Sequence, residues 1–351
     1  MDFILNGQAH GSVAAQLMQA NFDVNALRPY VGADGRTYIT INEDGKSKAI
    51  PLINATATLR KDEWIQLDTA VVKAAKPRLK AVGDLRSRGL VYNIPNGMGK
   101  TVLQTETQSD ISAAVVSMDG LRQSERDRPV YELTNLPLPI IHKDFSFSAR
   151  QVATSRSGGS PLDTTTAELA ARRVAEMAEQ LLLGVASSYT FGGGTIYGYS
   201  NYTGRLLKTI TAPDASGWTP ATLVQEVLEM RKQSTDDYHY GPWMLYCAPA
   251  WDVHLDDDYS PAKGDNTLRE RLAKIQGIEG VETLDYLENY DILLVQMTSD
   301  VVREVIGMDI TTLQWETQGG MQLNFKVMAI LVPQLRCDQN SNTGIVHAST
   351  A

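Results

Sequence analysis

The sequence predicts an α+β fold in which a long helix, a projecting hairpin and a compact α/β domain occupy successive stretches of the chain. Three observations carry that expectation. Between residues 163 and 184 apolar side chains recur at helical spacing, with Ala170, Val174, Met177 and Leu181 at i, i+4, i+7 and i+11. Residues 100–148 instead read as strands around the charged tip Arg122-Gln123-Ser124-Glu125-Arg126-Asp127-Arg128. Residues 213–312 alternate helical and strand patterns, as an α/β domain does.

Taken in chain order, residues 1–57 hold too few large apolar side chains to close a core, so they read as an arm that packs on other subunits. Within them Gly32-Ala33-Asp34-Gly35-Arg36 is a turn signal and Tyr38-Ile39-Thr40-Ile41 a short strand. Over 58–99, Trp64, Leu67, Val71, Ala74 and Ala75 keep helical spacing, and Leu79, Val82 and Leu85 continue it past Pro77, which kinks or restarts the helix. Asn96-Gly97-Met98-Gly99 then makes a flexible turn. In the hairpin, Thr101–Thr107, Val130–Leu133 and Phe145–Ser148 are strand-like.

The segment 149–212 contains the long helix. Pro161-Leu162-Asp163 leads into it, and Thr165 with Glu168 fits a capping box. About 20 residues of helix span roughly 30 Å at 1.5 Å per residue, enough for a spine. A Gly-, Ser- and Thr-rich stretch follows, with a domain boundary near 212. In 213–312, Thr219-Pro220 starts a helix whose buried face is Leu223, Val224, Val227 and Leu228. Strands are expected at Trp243–Cys247, Val281–Leu284 and Asp291–Met297, with helices near Trp251 and over Leu268–Ile275. The last segment, 313–351, carries Leu323–Val332, set off by Gly319-Gly320 from a strand at Thr311–Trp315.

Charge narrows the function classes. The chain of 351 residues has 43% hydrophobic and 21% charged residues and a net charge of −9. A protein built to grip nucleic acid has a basic excess. A container for nucleic acid does not need one, because every neutralised phosphate adds adhesion. Cys247 and Cys337 form no disulfide framework or zinc pattern. No secretory leader or membrane span is read from the sequence, so a soluble intracellular product is expected.

Four fragments invite a chemical reading. Gly99-Lys100-Thr101 ends like a phosphate-binding loop, but Ile94 stands where the first glycine is needed and Pro95 removes an amide donor. Phe191-Gly192-Gly193-Gly194 follows a helix rather than a strand, so it ends the helix instead of cradling a dinucleotide. His254 with Asp256, Asp257 and Asp258 lacks the spacing of a calcium loop and reads as a solvated acidic loop. His142 beside Asp144 has no nucleophile motif to complete a relay. No catalytic, cofactor or metal site is expected.

Longer stretches are recognisable. Tyr131–Phe145, Ser155-Arg156, Leu162-Asp163-Thr164-Thr165, Ala171-Arg172-Arg173-Val174-Ala175-Glu176 and Phe191–Tyr199 resemble, in order and spacing, the encapsulin-like major capsid proteins of tailed bacteriophages. Leu59–Trp64, His239–Tyr246 and Gln296–Val302 extend the likeness to about residues 20–348. The resemblance implies a Hong Kong 97-type capsid fold. Its parts would be an N-terminal arm (1–57), an N-terminal helix leading into the peripheral domain (58–99), an extended loop (100–148) and a peripheral domain with a spine helix (149–212). An axial domain (213–312) and a return to the peripheral domain with a C-terminal tail (313–351) would complete it.

The resemblance implies a structural protein, not an enzyme. It would self-assemble through pentamers and hexamers into an icosahedral shell around phage double-stranded DNA, held without sequence-specific binding. Scaffold, portal and decoration proteins are candidate partners; assembly would occur in the host cytoplasm and the product would be the virion capsid. The alternative is a bacterial encapsulin nanocompartment enclosing a cargo enzyme, and the long arm favours the virus. A third class, a soluble hydrolase using His142 or His254, is separated by particle size alone. Arg122, Glu125, Arg126, Asp127 and Arg128 either set register against a neighbour or form a solvated tip. The tip has no lysine, so covalent crosslinking is not expected.

Overall fold

The computed structural model describes residues 30–32, 34, 36–43, 46–51, 59–108, 116, 118, 128, 131–158, 164–259, 266–338 and 341–350. They fall into two compact units, one drawn from Met1–Thr101, Leu138–Gln180 and Glu304–Val332, the other from Val102–Pro137, Leu181–Arg303 and Pro333–Ala351.

The first unit begins with a small antiparallel sheet of β1 (Tyr30–Val31), β2 (Thr37–Glu43) and β3 (Lys46–Pro51). Helix α1 (Lys61–Ala75) starts where the Glu63 carboxylate accepts a hydrogen bond from the Arg60 backbone N–H at 2.7 Å, which satisfies an exposed donor. It ends before Pro77, which cannot donate to the helix ladder. A 3-10 turn, Lys76–Arg78, then leads into α2 (Lys80–Ser87), as the sequence predicts. Strands β4 (Val91–Asn93), β14 (Val302–Thr317), β15 (Gln322–Leu335) and β7 (Ile141–Ser148) form a sheet in the order β4-β14-β15-β7.

Strand β7 is antiparallel to β15, with Phe145 opposite Phe325 and Ile141 opposite Ala329. The hairpin expected over 100–148 is therefore shorter, and its last strand belongs to this sheet. The cause is the alternation of Phe145 and Phe147, which are buried between exposed neighbours. Phe145 stacks on Phe325 at 5.1 Å, and Phe147 and Trp64 approach Phe325 edge-on at 5.5 and 6.1 Å. Each such ring contributes about 1.5–3 kcal/mol on burial, so this cluster fastens α1 to the sheet. The turn at Asn96–Gly99 is also pinned rather than loose. The Asn96 side chain accepts from the Gly99 N–H at 3.0 Å, Ile94 N–H donates to the Ile306 carbonyl, and a Cβ at Gly97 would overlap the Gly307 backbone.

After α3 (Ala149–Gly158), the spine helix α4 runs over Thr165–Leu183, 19 residues or about 29 Å. Its cap is one residue earlier than expected, since Thr164 rather than Thr165 hydrogen-bonds the Glu168 carboxylate, at 3.0 Å. Ala170, Val174 and Leu181 are buried, whereas Met177 is 43% exposed, which corrects its assignment to the core. The buried arc is centred on Ala171, Ala175, Ala178 and Leu182, one helical step round from the expected stripe, and Met177 lies beyond its edge.

The second unit contains the hairpin of β5 (Val102–Gln108) and β6 (Tyr131–Pro137), antiparallel from Val102 opposite Pro137 to Gln108 opposite Tyr131. A second small hairpin joins β8 (Tyr189–Phe191) to β9 (Gly194–Ile196). A mixed five-stranded sheet is formed by β10 (Leu206–Ile210), β11 (Trp243–Cys247), β12 (Ile278–Thr283), β13 (Ile292–Gln296) and β16 (Ile345–Thr350), in the order β10-β16-β13-β11-β12. Every residue of β11 and β13 is buried, as their unbroken apolar runs require. Helix α5 (Pro220–Asp236) starts at Thr219-Pro220 and is tied to β11 by Trp243 Nε1 donating to Ser234 Oγ at 3.1 Å. Short helices α6 (Asp252–Leu255) and α7 (Leu268–Ala273) complete the unit.

The expected return of 313–351 to the peripheral elements is corrected in part. Strand β15 pairs with β7, but β16 lies between β10 and β13, where Ile345, Val346 and Ala348 are fully buried.

Candidate assembly surfaces

The hairpin has a buried base and an open outer half. Leu103 and Leu136 are each 8% exposed, whereas Tyr131 and Leu133 are 59% and 62% exposed. In a strand, alternate residues share a face, so Tyr131 and Leu133 stand together on the side that also carries Glu106. Of the predicted tip residues, Arg128 is described and exposed; Arg122, Glu125, Arg126 and Asp127 lie outside the described residues.

The glycine run after the spine meets this hairpin at its base. Asn135 Nδ2 donates to the Gly192 carbonyl at 3.0 Å, and a Cβ on Gly194 would overlap the Asn135 carbonyl. The glycines thus serve close packing. A cavity of about 410 Å³ opens beside them, lined among others by Glu106, Asn135, Tyr197, Tyr202, Arg336 and Cys337. The Tyr202 hydroxyl hydrogen-bonds the Cys337 thiol, and burial raises its pKa above the ordinary tyrosine value.

Other apolar side chains are exposed on regular elements. Helix α1 presents Ile65 and Val72, seven residues apart; α4 presents Leu169 and Met177; strand β10, an edge of its sheet, presents Leu207 at 64% exposure. Paired apolar residues on one helix face with nothing of their own unit over them are the pattern of a contact surface.

The fragments weighed for chemistry have structural partners. Asp252 and Asp256 accept from Arg269 at 2.6 and 3.0 Å, and the Thr283 hydroxyl donates to Asp252, so the acidic stretch clamps α6 to α7 and β12. His254 packs among the rings of Trp218 and Trp251, at centroid distances of 5.4 and 6.2 Å. His142 Nδ1 is 3.7 Å from Asp144 Oδ1, both half-exposed, and Lys326 Nζ approaches the same oxygen at 3.6 Å. Cys247 is fully buried, which pushes its thiol up to about 12 and keeps it uncharged.

The least expected feature is a set of buried carboxylates in the first unit. Glu179, near the end of the spine, accepts the Ala81 and Val82 backbone N–H groups at 2.7 and 3.2 Å, bracing the first turn of α2. Burial raises its pKa to about 7, against the lowering effect of those two bonds. Glu304 is pushed to about 6, again by burial, although Arg86 Nε donates to its Oε2 at 3.0 Å. Arg86 also reaches Asp309 Oδ1 at 2.9 Å. Among the described residues no donor meets the second Glu304 oxygen. Sequence reasoning missed Glu179, Glu304 and Arg86. The only signal was that Glu179 falls on the wide apolar arc of the spine.

A family model described as a family of unknown function, DUF6260, matches residues 54–348. The chain belongs to that family. This DUF6260 member is 25% identical over 202 residues to the type 1 encapsulin shell protein EncA of Myxococcus xanthus (strain DK1622), covering 56% of the chain and 63% of that relative, so it spans less than two thirds of the relative's length. Among solved structures it is similar to the virus-like particle from Pyrococcus furiosus, with a TM-score of 0.56 at 15% identity, covering 81% of this chain and 98% of that one. It is also similar to the capsid of Myoviridae phage XM1, with a TM-score of 0.57 at 9% identity, covering 72% and 86%. At these identities the likeness establishes the fold. It is the Hong Kong 97-type capsid fold that the sequence predicts.

Proposed function

We propose that this chain is the major structural subunit of an icosahedral shell that encloses phage double-stranded DNA. The observation that carries the reading is the hairpin. Tyr131 and Leu133 expose apolar side chains on a two-stranded ribbon, which has no stability of its own. A neighbouring subunit covering that face, and the faces at Ile65 with Val72 and Leu169 with Met177, completes each of them. Repetition over a closed lattice turns many weak contacts into a stable wall. The role is structural, and the charged tip at Arg122, Glu125, Arg126, Asp127 and Arg128 sets register against the neighbour. Neutralising Arg126 and Arg128 together is expected to impair particle formation and leave soluble subunits; normal shells by electron microscopy would count against that role.

The net charge of −9 supports DNA as the content, since an acidic wall does not adhere to packed phosphate. Assembly in the host cytoplasm, pentamers and hexamers as building units, and scaffold, portal and decoration proteins as partners belong to the same proposal. The similarity to EncA favours a second reading, a nanocompartment around a protein cargo. Negative-stain microscopy of the purified protein, followed by nuclease treatment and analysis of what remains inside, tests both. Regular shells with nuclease-protected DNA support the first; shells holding protein support the second; a monomer in solution sinks both.

A further inference from the structure

In the second unit, the end of helix α5 breaks local rules in three successive residues. Its last turn carries no basic residue, and Asp236 and Asp237 instead place negative charge at the negative end of the helix dipole. Tyr238 then takes φ 65°, the left-handed region that glycine or asparagine usually fills. The backbone is held there: Tyr238 and His239 N–H donate to the Thr235 and Ser234 carbonyls at 3.0 and 2.9 Å, and Gly241 N–H donates to Gln296 Oε1 at 3.1 Å. The result is a fixed loop that leaves Tyr238 and Tyr240 75% and 66% exposed. Among the described residues, neither aspartate makes an ion pair. Unfavourable local choices of this kind are retained where a surface has a task.

The complement lies on the same chain. Along the connection from β5 to β6, Val116, Met118 and Arg128 are exposed, the first two fully. Residues 122–128 hold three arginines against Glu125 and Asp127, a basic stretch on a chain of net charge −9. A thioether and methyl groups pack well on tyrosine rings, and a guanidinium bonds a carboxylate or lies over a ring. Two aspartates repel their own copy, so the surface that covers this loop is a different, basic one. We infer that the Asp236–Tyr240 loop of one subunit receives the hairpin of a neighbouring subunit. Val116 and Met118 lie against Tyr238 and Tyr240, and Arg128 against Asp236 and Asp237. The inference rests on the reading of the chain as a shell subunit and names what the hairpin registers against. Such a contact joins two different surfaces, so it passes from copy to copy around a closed ring.

The test reads subunit melting and particle yield side by side on the full-length protein. Tyr238→Asn suits a backbone at φ 65° and removes the ring. Its subunit is expected to melt no lower than wild type, while particle yield falls about tenfold or more, because each weakened contact repeats over the lattice. A lowered melting temperature would instead mark Tyr238 as a residue of the fold and overturn its role. Asp236→Arg with Asp237→Arg is expected to stop assembly, as is Arg126→Asp with Arg128→Asp. All four changes together set opposite charges face to face again and are expected to restore particles. Normal yield from Tyr238→Asn or from either charge-reversed pair overturns the pairing and leaves the loop to a partner other than a second copy. So does a quadruple variant that melts cooperatively yet stays unassembled. A wild-type protein that remains monomeric defeats the shell reading itself, which none of the variant results can do.

Discussion

Strands β13 and β6 are both short and apolar in part, yet their surroundings differ completely. Ile292, Leu293, Leu294, Val295 and Gln296 are all buried between the paired strands β11 and β16. In β6 the first four residues, Tyr131 to Thr134, are exposed, and burial begins only towards Leu136. The five-stranded sheet satisfies its apolar side chains from its own unit. The strands of the hairpin pair only with each other among the described residues, and they leave Tyr131 and Leu133 open. On the proposed reading, the difference separates residues that make the subunit fold from residues that make subunits join, and substitutions in the two regions are expected to fail in different ways.

The largest effect is expected in the sheet. Leu294→Ala, at a side chain with no exposure, should cost about 2–5 kcal/mol through lost burial and the cavity left behind. Denaturant unfolding of the subunit checks it, and a cost below 1 kcal/mol would mean that the sheet is less self-sufficient than its burial implies.

The second effect is pH-dependent and comes from the buried carboxylates of the first unit. Glu179 keeps its proton up to about pH 7 in the folded chain but releases it near its ordinary value of 4.5 when unfolded. The folded state therefore binds more protons in that window, so stability is full below about 4.5, declines as pH rises towards 7, and levels off above it. The size is on the order of 3 kcal/mol, and Glu304, raised to about 6, contributes in the same direction. Glu179→Gln should flatten most of the slope. A subunit that grows more stable from pH 5 to 7.5 would reverse the sign and refute the assignment.

Much of this architecture was legible in the sequence because it rests on local patterns. The spine, the proline break at Pro77, the start of α5 at Thr219-Pro220 and the unbroken strand Trp243–Cys247 all follow from spacing and turn chemistry. What escaped depends on tertiary pairing. Nothing local tells that Phe145 faces Phe325 instead of continuing the hairpin, or that Ile345 joins β13 across the chain. The stripe through Met177 lies one helical step from the true arc because alanines, which carry most of the buried face, weigh little in a pattern of large side chains. The surfaces were harder still. The cluster around Glu176 looks in sequence like the polar side of an amphipathic helix and Glu179 like a lone charge on its apolar arc, and only the arrangement of α2 against the spine makes Glu179 a buried brace and Glu176 a gathering point for arginines.

The smaller effects sharpen the comparison within the hairpin itself. Gly194→Ala puts a Cβ against the Asn135 carbonyl, a backbone atom that cannot swing aside, and is expected to cost about 1–3 kcal/mol by forcing the hairpin base away from β9. Proteolysis at the hairpin should accelerate in that variant while the five-stranded sheet stays intact. At the open end the expectation is the opposite. Tyr131→Ser together with Leu133→Ser removes two large apolar groups that are already more than half exposed, so subunit stability should change by less than about 0.5 kcal/mol per site. Particle yield should nevertheless collapse, because the area those side chains would bury lies on a neighbour. Sedimentation of the variant beside the wild type reads both at once: a stable slow-sedimenting subunit marks Tyr131 and Leu133 as joining residues. Full-sized particles would show that the hairpin's exposed face is plain surface, and the distinction between the two regions would then have to rest on the helical faces at Ile65 with Val72 and Leu169 with Met177.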